Sequence, residues 1–337
     1  MNQQDAIARL NDQTQKALLM SEDDIAGALF RQYQASLNDI IKDLMWLNQP
    51  VLSLEDPSIG AWRSLQLDTA SLKMISEKMT GLHKIIADQL LNDLTDFSQE
   101  AYSRTAWTLD QTTPPTTDIV FNVPTDDAIK TFLGAPWKGE IFSDRVWAIN
   151  DTMARNLQQT LVNGIQAGDS TQDIARAMRS NVGIPEDEKL VTRPQASAEV
   201  YRAMLIARSE TMRLSNAMRN KAWEENKRIM TDLIWSAAPG LMRVCDFCAE
   251  LDGRTYDDIK ENDGEDIADL LIDGICHPNG RCIYQVVPKP FQELLGENFK
   301  GVMDESIGEY EMRVPNPSGE GTTAVTVTPY ADWISAK

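Results

Sequence analysis

Two long apolar stripes, with residues spaced three or four apart, restrict the first third of this chain to helices. The first stripe consists of Ile25, Leu29, Tyr33, Leu37, Ile40, Leu44 and Leu47. The second consists of Leu72, Ile75, Met79, Leu82, Ile86, Leu90, Leu94 and Phe97. Ser21, followed by acidic residues, predicts the start of the first helix, and the turn-rich stretch with Pro50 and Pro57 predicts its end. We therefore expect a helical hairpin within residues 1–108.

The composition limits the function classes. A length of 337 residues suits two modest domains, or one domain with extensions. The net charge of -19 opposes strong binding to DNA or to an anionic membrane, because both carry negative charge. No apolar run reaches about 18 residues, so no membrane span is expected. The polar segment Gln3 to Met20 does not fit a secretory signal, which favours a reducing cytosol.

The remainder of the chain divides by pattern. Residues 109–140, with two adjacent prolines and many threonines, predict an extended linker. Residues 141–290 begin with a helix whose apolar stripe is formed by Val146, Ile149, Met153, Leu157, Leu161 and Ile165. A shorter helix follows, and then a long one from about Gln195. Alternating residues around Trp235 and Val287 then predict strands. Residues 291–337 predict an extended C-terminal arm. The expected fold is α+β and predominantly helical.

All four cysteines lie between positions 245 and 282, together with one of the only two histidines. Their order is Cys245, Cys248, Cys276, His277, Cys282. In a reducing compartment such a cluster favours a metal site over disulfides. A Cys-x-x-Cys turn with a second Cys/His pair from a distant segment provides the tetrahedral sulfur and nitrogen shell that suits Zn²⁺. The alternative is a set of buried or free thiols beside a polar histidine.

The sequence motifs around these cysteines resemble those of a known family. The chain reads RVCDFCAELDGRTY over 243–256 and CHPNGRCIYQVVP over 276–288. Two upstream blocks accompany them, at 149–179 and 207–225. In this order the blocks resemble the Mu F-type phage head morphogenesis family, whose members are minor head proteins. The resemblance covers roughly 141–290 and implies a Mu F-like head morphogenesis domain there.

The resemblance also implies a ligand set for a structural Zn²⁺ ion, namely Cys245, Cys248, His277 and Cys282. This chain departs from the family pattern, because Gly280 stands where the family has a cysteine and Cys276 is an additional one. Cys276 is the substitute ligand if His277 points elsewhere, since neighbours on an extended segment face opposite sides. Four protein ligands close a zinc site, which makes it structural rather than catalytic. Such a site would staple the small sheet.

By resemblance, the chain is a virion protein rather than an enzyme. It would be a phage minor head (capsid) protein that acts in head morphogenesis, and in genome packaging or delivery. The implied partners are the portal protein and, further, major capsid or scaffold proteins, with multiple copies in each virion. The implied location is the phage head, assembled in the cytoplasm of the bacterial host.

The rival interpretation is a zinc-dependent nuclease or hydrolase of the treble-clef type. That chemistry needs a metal-bound water beside a general base, and such nucleases use a histidine besides the ligands. The only other histidine is His83, which we interpret as a helix-surface or core residue. No Gly-x-Ser-x-Gly, HExxH or P-loop pattern is present.

Two charged features have simpler interpretations than ligand binding. The acidic stretch 257–273 predicts a solvated insertion rather than a calcium loop, because aligning Gly264 with the calcium-loop glycine places Ile259 at the first ligand position. The long helix carries four arginines, Arg202, Arg208, Arg213 and Arg219. We expect these to be solvated or paired within the helix, as Glu210 precedes Arg213 by three residues.

Overall fold

The computed structural model describes residues 3–52, 57–114, 117–135, 142–167, 169, 171–181, 198–237, 244–272, 280–295, 311–315 and 322–337. The described helices are α1 (Gln3–Leu52), α2 (Pro57–Thr112), α3 (Asp126–Gly134), α4 (Phe142–Ala167), α5 (Thr171–Asn181), α6 (Ala198–Glu225), α7 (Asp246–Leu251), α8 (Tyr256–Asp263), α9 (Glu265–Ile272), α10 (Phe291–Leu295) and α11 (Tyr330–Ser335). The strands are β1 (Met230–Ser236), β2 (Ile283–Pro288), β3 (Glu311–Pro315) and β4 (Thr322–Thr326). The fold is therefore mostly helical with a small antiparallel sheet, as the sequence predicts.

The chain divides into two compact units, and each unit is assembled from separate segments. The first contains Met1–Asp23, Leu94–Ile129 and Ser209–Lys337, and the second contains Asp24–Asp93 and Lys130–Arg208. Helices α1, α2 and α6 each contribute one segment to each unit. The sequence boundaries expected above, 1–108, 109–140, 141–290 and 291–337, stay a prediction.

The two apolar stripes are buried in α1 and α2 apart from the half-buried Ile25 and Leu72, and the side chain of Leu47 lies outside the described residues. The two long helices are thus confirmed. The expected start at Ser21 is wrong, since α1 runs unbroken from Gln3 to Leu52. In the sequence, the polar residues Thr14 and Glu22 interrupt the apolar pattern, but both are fully buried in the structure. Thr14 forms a hydrogen bond with Thr108, and Glu22 forms an ion pair with Arg281. These partners allow both polar residues to lie on the buried face of α1.

The second unit packs α4 and α5 with segments of α1 and α2, and it contains a short polar chain. The hydroxyl of Tyr33 donates to Oδ1 of Asn150 at 2.8 Å, and Nδ2 of Asn150 lies 3.3 Å from Nδ1 of His83. The His83 ring meets the edge of Trp147 with the ring centroids 4.9 Å apart. His83 is thus a half-buried helix residue with an amide and an aromatic neighbour.

In the first unit, β1 and β2 pair antiparallel, from Asp232 opposite Val287 to Ser236 opposite Ile283. A bulge lies between Met230 and Asp232. Both strands were expected, and their apolar side chains are buried in one core with α7, α8 and α9. Trp235 and Tyr284 face each other across the sheet with ring centroids 5.1 Å apart.

The stretch expected as an extended linker is extended at 117–125 but is held by hydrogen bonds. The Asn226 side chain accepts from Val120 N at 2.8 Å and donates to Val120 O at 3.1 Å. Nη2 of Arg228 donates to Asp118 O at 2.8 Å, and helix α3 follows. An asparagine that satisfies both backbone groups of one residue acts as a substitute strand partner.

The expected C-terminal arm contains the pair β3–β4 and helix α11. Its last part packs on α2 within the first unit. The Trp107 indole donates to Thr328 O at 2.8 Å, and the Trp333 indole donates to Asp110 Oδ2 at 2.7 Å. None of the described helices is both long and apolar enough to cross a membrane.

Candidate metal centre

The Cys-x-x-Cys turn is built on the first turn of α7. Cys245 is the N-cap of this helix, with extended backbone angles of φ -71° and ψ 152°. Its sulfur accepts a hydrogen bond from Cys248 N at 3.4 Å, the bond that a capping oxygen would otherwise accept. Cys248 is completely buried and Cys245 is half-buried.

The Leu-Asp-Gly sequence that follows returns the chain to β1. Leu251 is buried, and Oδ1 of Asp252 accepts from Ala237 N at 2.8 Å. Gly253 has a φ of +78°, which side-chain-bearing residues rarely adopt, and its N–H donates to Trp235 O at 2.9 Å. Trp235 N in turn donates to Arg254 O at 2.8 Å. These bonds fix α7, with its two cysteines, against the end of β1.

Cys282 enters the same region from the other strand. It directly precedes β2 and is buried, and its carbonyl oxygen accepts from Nδ2 of Asn216 at 3.4 Å. Asn216 lies on α6, so this helix supports the entry to β2. Cys248 and Cys282 belong to one apolar core cluster, and Cys245 packs against it.

Three of the five candidate ligands, Cys245, Cys248 and Cys282, are thus described and share one core. Cys276 and His277 lie outside the described residues. Within the described ranges, no three His, Cys, Asp or Glu side chains form a group that could hold a metal ion. The three described cysteines have the donor chemistry of zinc ligands, but by themselves they do not form such a group. The ligand set stays a prediction.

The acidic stretch 257–273 is largely helical in its described part. It forms α8 and α9 as far as Ile272, and Thr255 caps α8 by accepting from Asp258 N at 3.1 Å. Ile259 and Ala268 are fully buried and attach these helices to the sheet core. The carboxylates face outwards, and one of them, Asp269, accepts from the Tyr256 hydroxyl at 2.8 Å. Most of the described carboxylates are exposed, as expected of a solvated insertion, and two buried apolar positions anchor the two short helices.

Three of the four arginines of α6 are buried rather than solvated. Arg202 is exposed, whereas Arg208, Arg213 and Arg219 are buried. Arg213 forms the expected pair with Glu210, at 2.9 and 3.0 Å, and both side chains are buried. Burial takes these three arginines out of any DNA-binding face. A helical wheel cannot reveal this, because it gives the direction of a side chain without showing what packs on it.

The support for the sheet includes residues that the sequence analysis did not single out. Asn11 on α1 donates to Val286 O at 3.2 Å, and Asn216 on α6 holds Cys282. Arg281, the neighbour of Cys282, contacts Glu22 and Asp23 of α1. A signal was present in Arg281, since an arginine between a turn and a strand suggests a carboxylate partner, but its partner lies 259 positions away.

A family model matches the part of the chain that carries the candidate cysteines up to Cys282. Residues 155–282, from α4 to Cys282, match the family model described as Phage Mu protein F like protein. This match confirms the family resemblance expected from the sequence.

One curated relative is the NAD(+)–arginine ADP-ribosyltransferase EFV of Enterococcus faecalis. It is 22% identical over 241 residues, which is 71% of this chain and 43% of that protein. The chain therefore spans less than half the length of this relative. No solved structure gives a significant match.

Proposed function

We propose that this chain, whose residues 155–282 belong to the Phage Mu protein F like family, is a phage minor head protein with a structural zinc site. It would join the head at the portal, and act in head morphogenesis and in genome packaging or delivery. The observation that carries the proposal is the family match, which spans the helical blocks and ends at the last candidate ligand, Cys282.

The proposed zinc ligands are Cys245, Cys248, Cys282 and His277, with Cys276 as the substitute for His277. The N-cap geometry of Cys245 and the burial of Cys248 and Cys282 support this assignment. When bound, zinc would cross-link the start of α7 to the start of β2 and so add its binding energy to folding. The chain orients the donors through the Asp252 bond to β1 and the Asn216 bond to Cys282.

Metal analysis tests the site. Purified protein should contain about one zinc per chain, as expected for a four-ligand site. Cys248→Ser should release the metal and lower the thermal midpoint, because a buried ligand is lost. If Cys276→Ser loses the metal while His277→Ala keeps it, the substitute ligand is the true one. Native protein prepared without chelators and free of zinc would overturn the proposal.

Co-expression tests the role in the head. The chain should co-purify with the portal protein of its phage, and the complex should survive nuclease treatment. The net charge of -19 predicts weak binding to duplex DNA at physiological salt. Metal-dependent DNA cleavage together with no portal association would replace this proposal with the nuclease alternative.

A further inference from the structure

We propose that Arg281 positions the candidate ligand Cys282, and that the first 23 residues of the chain serve as part of the metal centre's support. The inference deepens the proposed zinc site and rests on it. It assigns a role to Glu22 and Asp23 on α1, more than two hundred positions away from the cysteines.

The contact is a clamp of two carboxylates on one guanidinium. Nη2 of Arg281 donates to Oε1 of Glu22 at 3.1 Å and to Oδ1 of Asp23 at 2.9 Å. Nε of Arg281 lies 2.9 Å from Oε2 of Glu22, a close ionic contact that lacks hydrogen-bond direction. Two carboxylates that hold one planar guanidinium restrict its rotation as well as its position.

The ion pair between Arg281 and Glu22 is the buried part of this clamp. The Glu22 side chain is fully buried and the Arg281 side chain is 13% exposed, whereas Asp23 is 53% exposed. Removing the cation from a buried carboxylate is costly, and Arg281 supplies this cation to Glu22.

A second set of contacts shows that α1 runs antiparallel beside β2. Gln3 donates to Lys289 O at 3.1 Å, Asn11 donates to Val286 O at 3.2 Å, and Glu22 meets Arg281. Eleven helical residues separate Asn11 from Glu22, about 16 Å at a helical rise. Five extended residues separate Val286 from Arg281, also about 16 Å at a strand rise. The contacts with α1 therefore fix the position of Arg281, and hence of Cys282, along the direction of the strand.

Position matters at Cys282 because a tetrahedral zinc site tolerates little displacement of a sulfur. The Cα atoms of adjacent residues are about 3.8 Å apart, so a fixed Arg281 side chain constrains the backbone that carries the Cys282 sulfur. Residues that orient metal ligands without touching the metal change metal affinity by about 10- to 100-fold when substituted. We expect a loss of this size on release of the clamp.

The test measures Co²⁺ affinity by the thiolate-to-cobalt absorption band, with zinc competition, on the full-length chain. The variants are Arg281→Met, Glu22→Met and the double variant, with Lys16→Met as a control. Lys16 forms an exposed pair with Asp12 on the same helix and should change nothing. Thermal unfolding of each metal-free variant reports stability separately.

Each single variant should unfold at a lower temperature, because it breaks the Arg281–Glu22 ion pair and leaves one of the two charges buried. The double variant removes both charges and should regain stability, whereas its Co²⁺ affinity should stay about 10- to 100-fold below that of the unaltered chain. Affinity that recovers together with stability would show a purely structural pair and overturn the inference. An unaltered chain that binds neither Co²⁺ nor Zn²⁺ would overturn the zinc proposal itself, and this inference with it.

Discussion

At the scale of single residues, the first unit contains a buried charge of a different kind from the clamped Arg281. Arg219 on α6 is fully buried, and its three guanidinium nitrogens have no hydrogen-bond partner among the described residues. Burial lowers the pKa of Arg219 to about 10. Arg213, on the same helix, is buried beside Glu210 instead. The two arginines therefore contribute to stability with opposite signs.

We predict that Arg219→Met stabilises the protein by about 1–3 kcal/mol, because it removes a buried charge without creating a cavity. The folded-state pKa of Arg219 lies below its unfolded value, so the destabilisation is fully present below about pH 10 and declines above it. The gain should therefore be constant across neutral pH. Urea unfolding of both forms measures it.

Arg213→Met is the matched control for that experiment. It breaks the buried Arg213–Glu210 ion pair, and it should destabilise the protein by about 3–5 kcal/mol. Equal losses in the two variants would mean that the Arg219 guanidinium has a partner as strong as Glu210.

His83 gives a second prediction at this scale. Burial lowers its pKa from 6.5, and the charge of Asp88 opposes this only in part. The unfolded chain then takes up the proton first, so the contribution of His83 to stability is present above pH 6.5 and is lost on acidification. NMR titration should give a pKa below 6.5 for a signal that His83→Gln removes and His277→Gln keeps. A value above 6.5 would contradict this reading.

At the scale of elements, the packing of α4 on α5 depends on the absence of one side chain. A Cβ added at Gly164 would lie 2.5 Å from Cγ1 of Ile174, which is closer than two carbons can approach. The sequence patterns predict both helices but not this contact, because it arises only when their faces meet.

We predict that Gly164→Ala destabilises the second unit by about 1–3 kcal/mol, since one of the two helices must shift. Gly81→Ala on α2 is the control, because a Cβ there meets nothing within 4 Å. It should stabilise its helix by about 0.5–1 kcal/mol through the higher helix propensity of alanine. Thermal unfolding compares the two. A neutral Gly164→Ala would show that Ile174 can rotate away.

At the scale of the whole molecule, sequence-local blocks do not coincide with compact units. The first unit takes its helical support from residues 1–23 and 94–129, far from the sheet in sequence. Thr14 and Thr108 contact each other through their hydroxyls at 3.2 Å, and Gln3 donates to Thr112 O at 3.0 Å. The family match at 155–282 therefore covers only part of what the sheet packs against.

We predict that a fragment of residues 141–290 does not reproduce the sheet of the full chain. It lacks the α1 and α2 segments, including Asn11, which satisfies Val286 O, and Leu109, which belongs to the sheet core. Amide exchange of β2 should be at least tenfold faster in the fragment, which corresponds to about 1.4 kcal/mol. Equal protection of β2 in fragment and full chain would restore 141–290 as a self-sufficient domain.

The sequence by itself determined the periodic elements and the family resemblance. Helices α1, α2, α4 and α6 and the strands β1 and β2 follow from apolar spacing, because burial of one face imposes its period on the residues. The motifs around the cysteines predicted the family match over 155–282 because they are short-range patterns. They could not show which thiols converge, and the ligand set stays a prediction.

Tertiary structure alone decided which polar residues are interior. Thr14 and Glu22 are both fully buried, although their types predict exposure. A polar group can be buried when a partner from another segment satisfies it, and the sequence does not show which segments meet. The same reason explains Arg281 and Glu22, whose pairing exists only because α1 lies along β2. The spacing of apolar residues thus determines the helices and strands. Contacts between distant segments of the chain determine which residues surround the candidate site.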